Sequence, residues 1–273
     1  MGGGSSGGGM SGVGGVGVSA RPATPGGRGA PISFQRQPST KRLLTIQWTF
    51  PVYKAPVTQP REGQTVARSA EAALPREDAF AQLAGDDRRP LLVLRECSTC
   101  KGTDHALIHR QMNNDVTLLL TRFFHCVKLP THVIEGNHAF RNLFTERPAH
   151  LFLSSADGSN YLALNGDQTQ TELWKAMYDL LGREYELDAK SAVKELVKLL
   201  SVFDHVESRI SEVRERLDLE IEKRGPDSPK VKELEQDLRD LREQKTKAER
   251  RRDELLDLKL RPRVALGPDA PRR

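Results

Sequence analysis

Cysteine is scarce in this chain: Cys97, Cys100 and Cys126 are the three among 273 residues. The start of the chain also lacks a positively charged stretch followed by a short apolar core. These two absences exclude a disulfide-stapled secreted scaffold and make a reducing, cytoplasmic compartment the expectation. Long apolar runs are missing too. No stretch of about 18 apolar residues occurs, so no membrane span is expected. No Ser-His-Asp set, phosphate loop or carboxylate pair can be assigned, and His125, His132, His138 and His150 show no ligand spacing. No nucleic-acid fold signature accompanies the basic residues, so specific nucleic-acid binding is not expected.

Glycine is abundant but misplaced for a core. Thirteen of the 22 glycines fall before residue 30, among Ser, Val and Pro, a composition that buries too little apolar surface to offset chain entropy. Residues 1–41 therefore read as a disordered basic tail, and residues 262–273 as a second one. Charge follows the same division. Residues 1–76 carry nine Lys/Arg against Glu62 and Glu71, and residues 261–273 carry four Arg against Asp269, which with a whole-chain charge of +5 leaves the middle near −5.

Between the tails, periodicity locates the elements. Leu44, Ile46, Trp48 and Phe50 alternate with polar residues, which predicts a half-buried strand over 42–50, and a proline-rich connector extends it to 73. A compact α/β pattern fills 74–186. It opens with a short helix bearing Phe80 and Leu83, then a strand at 90–94 whose continuous apolar run suits burial on both faces. Asp104 is placed to cap a helix carrying Leu107, Ile108, Met112, Val116 and Leu119. A strand follows over 123–129, then a helix over 138–147 with Phe140, Leu143 and Phe144 on its apolar stripe. The strand 149–153, the Asp157-Gly158 turn, the strand 161–164 and an amphipathic helix over 168–181 complete the pattern.

Residues 187–261 change character. Leu196, Phe203, Ile210 and Leu217 form one seven-residue row, and Leu199, Val206 and Val213 a second. Gly225-Pro226-Asp227-Ser228-Pro229 breaks the helix, after which Val231, Leu234, Leu238, Leu241, Ala248 and Leu255 resume the spacing. The expectation is an antiparallel α-helical coiled-coil hairpin that docks on a protein partner or on a second copy. Lys245 and Arg252 stand at seam positions of the second arm, where they weaken its far end or leave room for a partner.

Cys97-Ser98-Thr99-Cys100 carries the chemistry. At the start of a helix the first sulfur faces unpaired backbone N–H groups and the positive end of the dipole, which favours thiolate. Cys97 is placed to attack a disulfide, and Cys100, one turn on, to resolve the mixed disulfide.

The strand, the Cys-x-x-Cys with Lys101 after it, and the helix over 91–119 resemble the active-site unit of the thioredoxin family. Arg147-Pro148-Ala149, just before an apolar strand, stands where that family's cis-proline would be, and the hairpin and final helix also fit. The resemblance covers about 74–186. It implies a thioredoxin-like three-layer α/β/α mixed sheet acting on protein thiols or disulfides, with Cys97, Cys100 and Pro148 as the working residues. It further implies that Arg147 and Pro148 present backbone to a substrate segment, that Ser98 and Thr99 border the same groove, and that neither metal nor cofactor is needed. Four positions depart from the family pattern. Glu96 replaces the usual Trp, Ser98-Thr99 replaces Gly-Pro, and Leu91 stands where a buried acid is expected. Glu96 opposes thiolate formation, and without the acid, proton transfer from Cys100 falls to water or another group. Two alternatives stay open: a non-catalytic scaffold with an inherited fold, and zinc bound through Cys97, Cys100, His105 and His109.

Overall fold

A computed structural model describes residues 36–52, 73–97, 106–109, 112–144 and 149–262. Among them, five strands form one mixed sheet: β1 (Trp48–Thr49), β2 (Leu91–Arg95), β3 (His125–Leu129), β4 (Leu151–Ser154) and β5 (Leu162–Leu164). Their spatial order is β1-β3-β2-β4-β5. β2 lies at the centre, parallel to β3 with Leu92 beside Cys126, and antiparallel to β4 with Leu94 beside Leu151. β1 extends the parallel side, and β5 the antiparallel side.

Every residue of β2 is buried, as its unbroken apolar run requires. Successive side chains point to opposite faces. Leu92 and Leu94 join Cys126, Leu151 and Leu153 in one core, and Leu91 and Val93 join Val127, Leu129 and Phe152 in the other. The first core is covered by α3 (Asp115–Leu120), α4 (Gln170–Glu184) and the first turns of α5 (Ala189–Arg224). The second is covered by α2 (Arg76–Ala84) and by 3-10 turns at Thr131–Ile134 and Arg141–Leu143.

The hairpin read at Asp157-Gly158 is present. Gly158 N–H donates to the Ser155 carbonyl at 2.9 Å, and the Asp157 carboxylate accepts from Ser159 N–H at 2.9 Å. α4 begins with a capping box: the Thr169 hydroxyl accepts from Glu172 N–H at 3.2 Å, and the Glu172 carboxylate accepts from Thr169 N–H at 2.8 Å.

α5 and α6 (Pro229–Leu256) pack against each other, with Val206, Ile210, Val213, Leu234 and Leu238 buried between them. The break falls where the prolines put it, and Ser228 caps α6. α6 stops at Leu256, five residues short of the expected 261. The chain then runs back along the α4–α5 junction: Glu186 N–H donates to the Lys259 carbonyl at 2.9 Å and Arg261 N–H to the Glu184 carbonyl at 2.8 Å.

Four expectations need correction. Residues 36–41 belong to the folded body rather than to a tail, and Pro38–Leu43 form α1. The strand expected over 42–50 shrinks to Trp48–Thr49, because α1 takes Arg42 and Leu43, and Phe50 lies 65% exposed. The described part of the helix expected over 138–147 is turns instead. Phe140 and Leu143 are buried there as expected, but 3-10 turns bring them inward. The helix expected from Asp104 starts only at Asp115, and Met112 is exposed. Asn114 competes with it locally: its amide accepts from His109 N–H at 2.9 Å and donates to the His109 carbonyl at 2.8 Å, closing a loop where the helix was expected. Gln170 on α4 fixes that loop by donating to the Asn113 carbonyl at 3.0 Å.

α1 is held by carboxylates from distant parts of the chain. Arg36 bridges Asp115 and Asp204. Glu207, on the seam side of α5 and 8% exposed, accepts from Ser39 N–H at 3.1 Å and from the Ser39 hydroxyl at 2.5 Å. Lys245 of α6 completes the group at 2.7 Å from Glu207, so the cation that seemed a defect of the seam is matched by a carboxylate inside it. Burial pushes the Glu207 carboxyl up, but hydrogen bonds from Lys245 and Ser39 outweigh it and hold the group below its ordinary value. Glu207→Gln is expected to cost roughly 1–3 kcal/mol at neutral pH. A depressed folded value means the stabilisation is complete above the unfolded carboxyl value, about 4.3, and is lost as pH falls through the folded one. Urea unfolding of the wild type and Glu207→Gln, repeated from pH 7 downward, should show the gap closing over that range.

Candidate functional site

The carboxyl end of β2 delivers Cys97. Arg95 closes the strand with 6% exposure, its Nε donating to the Ala149 carbonyl at 3.1 Å and its Nη1 to the Glu96 carbonyl at 3.3 Å. Arg95 N–H also donates to the His150 carbonyl at 2.8 Å, so pairing between the two chain segments continues past the end of β4. His150 Nδ1 lies 3.5 Å from Arg95 Nη2, and burial together with the Arg95 charge pushes the imidazole below its ordinary value, favouring the neutral ring.

Glu96 is anchored by its N–H to the Leu129 carbonyl at 2.9 Å, and its carboxylate meets Lys128 at 3.3 Å. The negative charge expected to oppose a Cys97 thiolate thus has a cation beside it, and Arg95 adds another two residues before the sulfur. Cys97 itself is disulfide-bonded. Ser98, Thr99, Cys100, Arg147 and Pro148 lie outside the described residues, as do Lys101, Asp104 and His105. Of the zinc set, Cys97 and His109 are described. Among the described residues, no group of three His, Cys, Asp or Glu side chains is arranged to hold a metal.

Activation of Cys97 by a helix that begins at Asp104 needs revising, because residues 106–109 hold only a short 3-10 turn and α3 starts well beyond the motif. The positive charges of Arg95 and Lys128, at the end of β2 and on β3, are side-chain charges instead. The sequence contains a signal for Arg95, a lone charge closing a run of four buried aliphatic residues, since such a charge must find partners. His150 and Lys128 carry no such signal.

Cys126 is a different kind of cysteine. It is a free thiol, buried in β3, with its S–H directed at the Thr121 carbonyl at 3.5 Å. Burial pushes the thiol up to about 12, against the opposing pull of Arg89 and Arg122, so it packs as a small apolar side chain.

A second polar group lies at the opposite ends of β2 and β3. Asp87 accepts from Arg89 Nη2 at 2.6 Å and contacts His125 Nδ1 at 2.8 Å. These hydrogen bonds outweigh burial and hold the Asp87 carboxyl well below the usual range. Arg89 Nη1 also donates to the Arg122 carbonyl at 3.2 Å, tying this group to the turn that leads into β3.

Among the described residues, no helix is long and apolar enough to cross a membrane. Comparison of the chain with protein-family models, with curated proteins and with solved structures finds no match.

Proposed function

We propose that residues 74–186, with β1 added at the edge, form a thioredoxin-like domain that exchanges thiols and disulfides with protein substrates through Cys97 and Cys100. The register of β2 against β4 carries this reading. Leu94 faces Leu151, and in an antiparallel pair each step forward on one strand is a step back on the other. Past that pair, Arg95 N–H donates to the His150 carbonyl at 2.8 Å and Arg95 Nε to the Ala149 carbonyl at 3.1 Å, so the segment at 149–150 runs beside the end of the strand that delivers Cys97. Placement of Cys97 beyond the carboxyl end of a central strand lends further support, since open α/β sheets bind ligands there.

In this reading the Cys97 thiolate attacks one sulfur of a substrate disulfide. A mixed disulfide forms, and the other substrate sulfur leaves as a thiolate. Cys100 then attacks Cys97 Sγ, forming the Cys97–Cys100 disulfide and releasing the second substrate thiol. The substrate gains the two electrons that the cysteine pair loses, and a dithiol reductant returns them for the next cycle. Arg147 and Pro148 present backbone to the substrate, with Ser98 and Thr99 beside them. α5 and α6 act as an antiparallel coiled-coil hairpin that docks the domain on a protein partner or a second copy.

Insulin reduction with a small dithiol as electron source tests the chemistry. The full chain should accelerate precipitation of the insulin B chain, and Cys97→Ser should lose that acceleration. Equal rates would favour the second reading, a scaffold that keeps the fold without the reaction. The Asn114-closed loop where the activating helix was expected, and fully buried Leu91 at the position of the expected acid, are the observations on its side. Titration of the Cys97 thiol separates the two: a value below that of a free thiol, about 8.5, supports exchange, and one at or above it supports the scaffold.

A further inference from the structure

Where β3 begins, at the end of the sheet away from Cys97, a cavity of about 350 Å³ opens between α1, the turn at Thr121–Phe123 and the last turns of α6. Three arginines line it, each from a different element: Arg42 from α1, Arg122 from the turn and Arg252 from α6. Glu249 and Asp253 stand on the α6 wall.

The cations are poorly matched internally. Among the described residues, Arg42 and the side chain of half-buried Arg122 have neither a hydrogen-bond partner nor an ion pair. Arg252 pairs only with adjacent Asp253, at 2.8 Å, whose side chain is 66% exposed. The next cation inward, Arg89, is already taken by Asp87. Burial, with Arg89 and Arg252 repelling it, pushes Arg122 below its ordinary value. A half-buried guanidinium beside a cavity, repelled by neighbouring cations and without a partner of its own, is an uncompensated charge, and an oxyanion in the cavity would compensate it.

The shape of the charge narrows the ligand. Arginines contributed by three separate elements suit a tetrahedral phosphate better than a planar carboxylate. The carboxylates of Glu249 and Asp253 disfavour an extended polyanion such as a nucleic-acid backbone, and they accept hydrogen bonds from hydroxyl groups. The volume lies at the lower end of small-molecule pockets, about 300–1,000 Å³. We propose that this cavity binds a small hydroxyl-bearing phosphate monoester, with its phosphate on Arg122 and its hydroxyl groups on the α6 carboxylates.

Isothermal titration of the full chain with inorganic phosphate and with glycerol 3-phosphate tests the assignment. Glycerol 3-phosphate should bind more tightly than inorganic phosphate. Arg122→Gln should weaken its binding about tenfold or more, the scale of one lost charge-assisted contact. The ligand-free thermal melt of Arg122→Gln should stay at or above that of the wild type, because the substitution relieves repulsion and breaks no pair. No heat with either probe at millimolar concentration, equal affinity for the two probes, or unchanged binding by Arg122→Gln would each overturn the proposal.

Discussion

Phe152→Ala is expected to lower the unfolding free energy by about 3–5 kcal/mol, the range for deleting a fully buried aromatic ring. Phe152 has no exposed surface and stands on β4 beside Val93 of β2. Its ring meets those of Phe80, Phe144 and Tyr161 with centroids 6.1, 5.9 and 5.0 Å away. These neighbours come from α2, from the segment after the Arg141–Leu143 turn and from the residue just before β5, so no single element can move inward to fill the space. The cavity would open on the core face opposite Cys126, between the sheet and α2. Phe152→Leu keeps much of the volume and should cost less, about 1–1.5 kcal/mol. Urea unfolding of both variants checks the pair, and a loss below about 1 kcal/mol for the alanine variant would mean that this face is not a packed core.

Gly158→Ala is expected to cost about 2–4 kcal/mol, from two separate causes. The first is the backbone: Gly158 has φ +82°, where an L side chain is strained. The second is space, since a Cβ at this position would lie 2.2 Å from Phe80 Cδ2, with the rest of that ring close behind. Phe80 is itself 2% exposed and packed on Phe152 and Tyr161, so it cannot swing aside without disturbing the same cluster. Gly136 provides the comparison. It also has positive φ, at +54°, but nothing lies within 4 Å of an added Cβ. Gly136→Ala should show the backbone cost alone, about 1 kcal/mol. Thermal or urea unfolding of the two alanine variants side by side therefore separates strain from collision, and equal losses would refute the collision with Phe80.

The elements that sequence reading finds correctly share one property: their apolar pattern is strong over their own length. β2 is an apolar run bounded by Pro90 and Arg95, and only a strand buried on both faces satisfies it. α4 has a capping box and four buried apolar residues on one stripe. α5 and α6 repeat their pattern over 36 and 28 residues and part at two prolines. The hairpin at Asp157-Gly158 needs a left-handed residue, and glycine supplies it.

Where the reading fails, helical spacing is satisfied by something other than a helix. Phe140 and Leu143 reach the core from 3-10 turns, and Leu107 and Leu119 reach it from either side of a loop. Apolar spacing records which residues turn inward; the hydrogen bonds that select helix or loop come from Asn114 and, across the fold, from Gln170. The same limit explains α1. Composition makes residues 36–41 look like tail, and Asp115, Asp204 and Glu207, which hold them, lie 79 to 168 residues away along the chain.

The Cys-x-x-Cys was legible as a candidate from its strand and its spacing. Its surroundings were not, because Arg95 gains its partners across the sheet from Ala149, and Glu96 meets Lys128 from the neighbouring strand. The sequence by itself determined the central strand, the long helices and the turn between them, since those depend on local periodicity and chain-breaking residues. Only the tertiary structure decided which partners Arg95 and Glu96 find, that Glu207 answers Lys245 in the helix seam, and that three arginines from separate elements line one cavity. Electrostatic energy depends on distance in space, and positions remote in sequence become neighbours only when the sheet and helices pack.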